Sequence, residues 1–300
     1  MKGIIIYSKE EYKKNVFFVE RSNDCLREKG VELDLVFFEN LKFVSVKGET
    51  IPNYNNENYI ISFDNKPDFA IVRCINPYLS RLLERYGIRT FNSASLSEIA
   101  NDKFLAYVFA TNNNVKTIPS ILCQGEILVE DINHGYKIFE TDELIIKSVD
   151  GHGGSEVYCI SEEKKGAYEI IKNLKNNKKY VLQPRIKGVA KDVRVYVLDN
   201  KPQCAILRES NTDYRSNYSL GGRVKEVVIN KELESLIKCI TDNIYMDYAG
   251  VDFIIDENEN YYFNEIEDVV GARMLYQCTD IDIISRFMCH IIDKVSGKYI

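Results

Sequence analysis

Residues 249–267, AGVDFIIDENENYYFNEIE, hold two apolar runs around a polar loop, Glu257 to Asn260. That pattern predicts a β-hairpin. With the loop as the turn, Asp256 pairs with Tyr261, and counting back sets Asp252 opposite Glu265. Their Cβ atoms would then stand roughly 5 Å apart on one face, where like charges repel. Asp252 also interrupts an apolar strand, and an unpaired carboxylate is costly to bury. Glu267 lies two residues beyond Glu265 and projects on the same side of an extended chain. Converging carboxylates call for a cation, and hard oxygen ligands without His or Cys indicate Mg²⁺ or Mn²⁺. The other arrangement this pattern allows is a solvated sheet face whose acids pair with Lys or Arg.

The 300 residues are enough for two or three compact domains with their own cores. Forty-five per cent hydrophobic and 28% charged residues describe a soluble globular chain. A net charge of −6 lacks the basic excess of a nucleic-acid surface. The N-terminal MKGIIIYSKEEYKK has too short an apolar core for a signal peptide, and no run reaches the roughly 18 apolar residues of a membrane span. The eight cysteines are dispersed, with no Cys-x-x-Cys, and the three histidines show no zinc-ligand spacing. Free thiols among apolar residues suit a reducing cytoplasm. Cys289 and His290 are neighbours that point apart on a helix, which argues against a catalytic thiol there.

Working outward, GIIIY (Gly3–Tyr7), ELDLVFF (Glu32–Phe38) and FAIVR (Phe69–Arg73) predict strands that alternate with helices. One helix ends at Gly30; another has Asn76 as cap and Pro77 at its first position. This is a small parallel sheet covered by helices, over residues 1–93, with 45–66 as a polar excursion. Ser95 and Glu98 predict a capping box opening a helix to about Thr111. Strands near 117–123, 143–149 and 156–160 and a helix at about 162–175 complete a second, α+β part, residues 94–180. The third part, 181–300, takes strands Tyr180–Arg185, Asp192–Leu198 and Gln203–Glu209, a polar loop at 211–222, a helix from Asn230, the hairpin, and a last helix started by Thr279 and Asp282.

Several further groups suit phosphate. Lys147 ends the strand ELIIKS and precedes Asp150-Gly151-His152-Gly153-Gly154-Ser155. Glycines let backbone N–H groups approach an anion, and the lysine supplies a charge. The order is not that of a P-loop, and a plain flexible hairpin has the same composition. Lys103 lies in an otherwise apolar helix, where a solvated helix-face lysine is the simpler reading. Asp192 and Arg194 share a strand face. Arg208, Arg215 and Arg223 follow, with Asn217 and Gly221-Gly222 between them, a cluster suited to phosphate or carboxylate. Metal acids, lysines, a glycine loop and arginines together are what ATP phosphates need.

On these motifs and their order the chain resembles the ATP-grasp superfamily, in the branch of RimK-type ligases and glutathione synthetase. Asn101-Asp102-Lys103 matches the family's Asp-Lys, and IIKSVDGHGGSEV its second ATP lysine, Lys147, with the glycine loop Gly151 to Ser155. VLQPRI matches the hinge around Gln183, Pro184, Arg185 and Ile186, where the backbone of Pro184 and Arg185 would meet adenine. KDVRVYV places Asp192 near the nucleotide, and DYRSNYSLGG carries over Arg215, Ser216 and Asn217 as phosphate and substrate contacts. AGVDFI and NEIE match the metal acids Asp252 and Glu265, with Glu267 in place of the customary asparagine and so one more negative charge on the metal site. Pro184 replaces an acid in the hinge, and Asp268-Val269-Val270-Gly271 replaces a Ser-Pro-Gly turn beside the substrate.

The resemblance implies an ATP-grasp fold: an N-terminal pre-ATP-grasp domain of α/β type and two α+β subdomains clasping ATP. It implies ATP and Mg²⁺ (or Mn²⁺) as cofactors and carboxylate–amine or carboxylate–thiol ligation through an acyl phosphate. Arg215, with Arg194 and Arg208, would stabilise the transferring phosphoryl group. Substrates would be small-molecule or peptide carboxylates and amines, and relatives are commonly dimers or tetramers. A small-molecule kinase on the same scaffold and a non-catalytic ATP-binding module are the competing readings. Arg73, just after the third strand, is either a carboxylate anchor or a member of a structural ion pair.

Overall fold

The structure is a computed structural model, and it describes residues 1–47, 58–153, 156–161, 167–175, 177–210 and 223–297. The chain begins with β1 (Lys2–Tyr7), α1 (Lys9–Arg27) and β2 (Glu32–Phe37). Ser8 caps α1, its hydroxyl accepting from the Glu11 amide at 3.1 Å. The short β3 (Leu41–Phe43) and β4 (Tyr59–Ile61) pair in parallel, so the segment expected as a polar excursion is closed by a two-stranded ladder. Then come β5 (Phe69–Val72), α2 (Pro77–Arg85) and β6 (Arg89–Phe91). Asn76 caps α2 and Pro77 opens it, as the sequence predicts. The first sheet runs β2-β1-β5-β6, parallel throughout.

Both faces of this sheet are covered, which is why β1 is apolar without alternation. Ile4 and Ile6 join the core with Leu79 and Leu83 of α2, whereas Ile5 and Tyr7 join Phe18 of α1 on the other side. Gly3 lets β5 approach, since a Cβ there would fall 2.1 Å from the Phe69 ring. Gly3→Ala is therefore expected to destabilise by about 1–3 kcal/mol through overpacking, measured by urea unfolding.

The second part starts with α3 (Ala94–Ala100) and α4 (Lys103–Asn112). The single helix capped by Ser95 and Glu98 is thus corrected to two. Ser93 caps the first, and Asp102 caps the second by accepting from the Leu105 amide at 2.9 Å. Ser95 and Glu98 face Arg81 instead, with Glu98 at 2.7 Å. The break at Asn101-Asp102 puts Lys103 in the first turn of α4. β7 (Ile121–Cys123), α5 (Val129–Phe139), β8 (Glu143–Ser148), β9 (Val157–Ser161), α6 (Ala167–Asn173) and β10 (Tyr180–Pro184) follow. They form an antiparallel sheet of order β7-β10-β8-β9. β10, expected to open the third part, lies inside this sheet between β7 and β8.

β11 (Ala190–Leu198), β12 (Lys201–Ser210), β13 (Arg223–Val227), α7 (Lys231–Thr241), β14 (Tyr248–Ile255), β15 (Tyr261–Glu267), α8 (Arg273–Cys278) and α9 (Ile283–Val295) complete the chain. The five strands form an antiparallel sheet, β13-β12-β11-β14-β15. Its inner face packs Val193, Val195, Val251 and Phe253 against α4 and α7. The last helix returns to the first sheet, where Ile284 and Phe287 share a core with Ile5, Phe18 and Phe69. No helix among the described residues is long and apolar enough to cross a membrane.

Candidate functional site

Asp252 pairs with Glu265 as the sequence predicts, but the ladder reaches that register by another route. At the turn, Ile255 rather than Asp256 faces Tyr261. Phe253 pairs with Phe263 and Asp252 with Glu265, which leaves Asn264 as the extra residue of a β-bulge. In an unbroken strand Phe263 and Glu265 would share a face. The bulge lets Phe263 enter the core, fully buried, while Glu265 turns to the opposite side beside Asp252. It also aims the Asn264 side chain at Lys147, whose Nζ donates to its Oδ1 at 2.9 Å. Sequence reasoning missed Asn264, because nothing in the spacing marks the bulge.

Ligand oxygens of Asp252, Glu265 and Glu267 lie within 4.8 Å of one another, a donor set that suits a hard divalent cation. The acids converge and also carry basic partners, but the face is not the solvated one of the second arrangement, since Asp252 is fully buried. Arg194 Nε and Nη2 donate to Asp252 at 2.8 and 2.7 Å, and Nη2 and Nη1 reach Glu267 at 2.6 Å each. Arg208 bonds Asp252 at 2.6 Å and also grips Asp192 across the β11–β12 pair. Burial alone would push Asp252 up, but Arg194 and Arg208 outweigh it and hold the carboxyl at about 2. Burial, then Asp252 and Glu265, push Glu267 up against the pull of Arg194. Arg194, at 2.6 Å, is the counter-ion that Glu267 has in this geometry.

Lys103 and Lys147, both buried, face this group. Lys103 Nζ donates to the Gly151 carbonyl and stands 3.5 Å from Glu265, so it is not a solvated helix-face lysine. Burial lowers Lys147 to about 8, with Glu265 opposing. Of the glycine loop, Gly151, His152 and Gly153 are described, Gly153 with a left-handed φ of +64° that favours glycine. Burial and the nearby Lys103 lower His152. Gly154, Ser155, Arg215, Ser216, Asn217, Gly221 and Gly222 lie outside the described residues.

A cleft open to solvent joins these groups. Lys103, Lys147, Gly151, Gly153, Asp192, Arg208 and Glu265 line it, with Gln183 to Ile186 along one wall. Ile118, Ile145, Val157, Val189 and Ile254 make it apolar at the hinge, a lining the sequence did not reveal. The Gln183 side chain turns inward and donates to Ser120 Oγ at 2.8 Å. The Arg185 amide already donates to the Glu143 carbonyl at 3.1 Å, and its guanidinium binds the Glu143 carboxylate at 2.9 Å. The hinge amide that has no hydrogen-bond partner among the described residues is that of Ile186.

Arg73 is not a member of a structural ion pair: among the described residues no carboxylate lies within ion-pair range. Its Nη2 donates to the Val270 carbonyl at 2.8 Å, its Nε to Tyr7 at 3.3 Å, and it lies 4.3 Å over the Phe18 ring. The 268–271 turn is pinned from several sides. Asn92 donates to the Asp268 carbonyl at 2.7 Å, Asn101 to its carboxylate at 3.0 Å, and Tyr196 to the Gly271 carbonyl at 3.2 Å. Through Asn101 the strand bearing the acids is tied to the helix break that presents Lys103.

A parallel α/β unit joined to two antiparallel sheets, with a lysine- and acid-lined cleft, is the architecture of an ATP-grasp ligase. Residues 100–291 match the RimK-like ATP-grasp domain family, and the chain belongs to it. Relatives include the uncharacterised protein MG011 of Mycoplasma genitalium, 26% identical over 98% of this chain and 93% of that protein. The glutamate–LysW ligase ArgX of Sulfolobus acidocaldarius is 24% identical, covering 75% of this chain and 81% of its own. Among solved structures, the ATP-grasp ligase PsnB, complexed with a precursor variant, Mg and ADP, has the same fold. The TM-score is 0.69, at 16% identity over 98% of each chain.

Proposed function

We propose that this enzyme joins a small carboxylate, such as that of an amino acid or peptide, to an amine or thiol, using ATP and Mg²⁺ and passing through an acyl phosphate. One observation carries this reading: Glu265 and the two buried lysines line one cleft whose other end is apolar, and Asp252 and Glu267 stand with Glu265, their ligand oxygens within 4.8 Å of one another. Adenine fits the apolar end, against the backbone of Pro184 to Ile186. The Ile186 amide and the carbonyls beside it would serve its ring edge in place of the Arg185 amide. Lys103, Lys147 and the glycine loop would hold the phosphates in line with the attacking carboxylate. A divalent ion held by Glu265, Glu267 and Asp252 would offset charge on the phosphate oxygens. Arg194 and Arg208, with Arg215, would stabilise the transferring phosphoryl group and then the tetrahedral adduct formed by the amine. The amine loses its proton as phosphate leaves, so no side chain needs to become a covalent nucleophile.

The names of the relatives favour an amino acid or peptide among the substrates. Mg²⁺-dependent ADP release, screened over amino acids and short peptides, tests the reading. The expected result is release that depends on a carboxylate and yields a hydroxamate when hydroxylamine replaces the amine. A stable phosphoester would mean a kinase instead, and nucleotide binding without turnover on any candidate would mean a binding module.

A further inference from the structure

Arg194 is bonded to two of the three acids that would hold the metal. It makes a two-pronged contact with Asp252, at 2.8 and 2.7 Å, and a second with Glu267, at 2.6 Å on both oxygens. Arg208 adds a third hydrogen bond to Asp252 at 2.6 Å, and Asp252 has no exposed surface. Gly250, opposite Glu267 in the ladder, leaves room for both Val270 and Arg194: a Cβ there would lie 2.9 Å from Val270 Cγ2 and 3.3 Å from Arg194 Cδ. Charge is balanced among the described residues at this end of the cleft. Asp192, Asp252, Glu265 and Glu267 stand against Arg194, Arg208, Lys103 and Lys147. A divalent ion entering this neutral set, of which Glu265 and Glu267 alone are partly exposed, meets arginine where it needs oxygen, and brings charge that nothing in the set offsets. Nucleotide phosphates arriving with it supply the missing negative charge.

We propose that Arg194 and the divalent cation exchange over the same two carboxylates, so that the site accepts its metal together with nucleotide phosphates and releases Arg194 toward them. The inference rests on the Mg²⁺–ATP reading given above and adds an order to it. In the absence of nucleotide Arg194 is the counter-ion of Asp252 and Glu267. When the cation takes those oxygens, the guanidinium loses its partners next to the phosphates, whose oxygens are the acceptors then available to it. Metal binding and the placing of a phosphoryl-stabilising arginine are thereby one event.

Mn²⁺ titrated into the full chain and followed by water-proton relaxation tests this, with and without saturating ADP and with the Mn²⁺–ADP complex accounted for. The wild type is expected to bind Mn²⁺ at least tenfold more tightly when ADP is present. Arg194→Met is expected to tighten nucleotide-free Mn²⁺ binding at least tenfold. Arg194→Lys, which keeps a charge but lacks the fork that spans both carboxylates, should tighten it by a smaller factor and stands in if Arg194→Met does not fold. Equal Mn²⁺ affinity of the wild type with and without ADP would overturn the proposal. So would an unchanged or weakened nucleotide-free affinity in the variants. Failure of ADP to bind at any Mn²⁺ concentration would remove the nucleotide reading, while the nucleotide-free titrations still decide whether Arg194 blocks the metal.

Discussion

Asp252→Asn is expected to destabilise the chain by about 3–5 kcal/mol, because it strips two buried arginines of a shared counter-charge. Asp252 is fully buried, and its oxygens receive three hydrogen bonds, two from Arg194 and one from Arg208. Asparagine has nearly the same shape, so the loss is electrostatic rather than a cavity. Arg194 keeps Glu267 and Arg208 keeps Asp192, so the fold is expected to survive in weakened form. The wild-type carboxyl sits at about 2, below the 3.8 of an unperturbed aspartate. A depressed carboxylate contributes stability that is present above 3.8 and lost as pH falls through about 2. Urea unfolding across pH should show that acid-side loss in the wild type and a smaller one in Asp252→Asn. A variant as stable as the wild type at neutral pH would show that the arginines do not depend on this residue.

Lys147→Met is expected to lower kcat/KM for ATP by about 10²–10³-fold, the loss typical of removing one preorganised charge at a phosphoryl centre. Unlike the Asp252 change, it should leave the fold intact, because methionine fills the stem of a lysine whose charge is itself costly to bury. Burial holds Lys147 at about 8, against the usual 10.5. Between those values the unfolded chain binds more protons than the folded one, so wild-type stability is expected to rise with pH across that window. Nucleotide affinity should move the other way, falling as Lys147 loses its charge above about 8. Calorimetric titrations of ADP from about pH 7 to pH 9 should show that slope in the wild type and its absence in Lys147→Met. An affinity independent of pH in both proteins would place the phosphates away from this lysine.

Much of the site was legible because it is written in strand parity. Asp192 with Arg194, and Glu265 with Glu267, share faces by simple alternation, and the apolar residues between them seal the opposite side. The Asp252–Glu265 pairing was legible for an incomplete reason. The expected turn register is one residue off, and the Asn264 bulge restores the count before the acids are reached. A bulge depends on packing across the sheet, here the burial of Phe263, and no local sequence rule announces it. The break before Lys103 was hidden in a similar way. Ser95 and Glu98 have capping-box spacing, yet both are drawn to Arg81 on a neighbouring helix, while Ser93 and Asp102 do the capping. β6 escaped because its three residues are too few for periodicity to build up. The grip of Arg194 on two acids needed three strands and a glycine in register, which only the folded sheet brings together.

A crystal structure of the chain with Mg²⁺ and a non-hydrolysable ATP analogue tests the central claim most directly. The expected result is phosphates within hydrogen-bonding distance of Lys103 and Lys147, the ion on Asp252, Glu265 and Glu267, and adenine against Pro184 to Ile186. A nucleotide bound anywhere else, or Lys147 still on Asn264 with the phosphates out of reach, would contradict it.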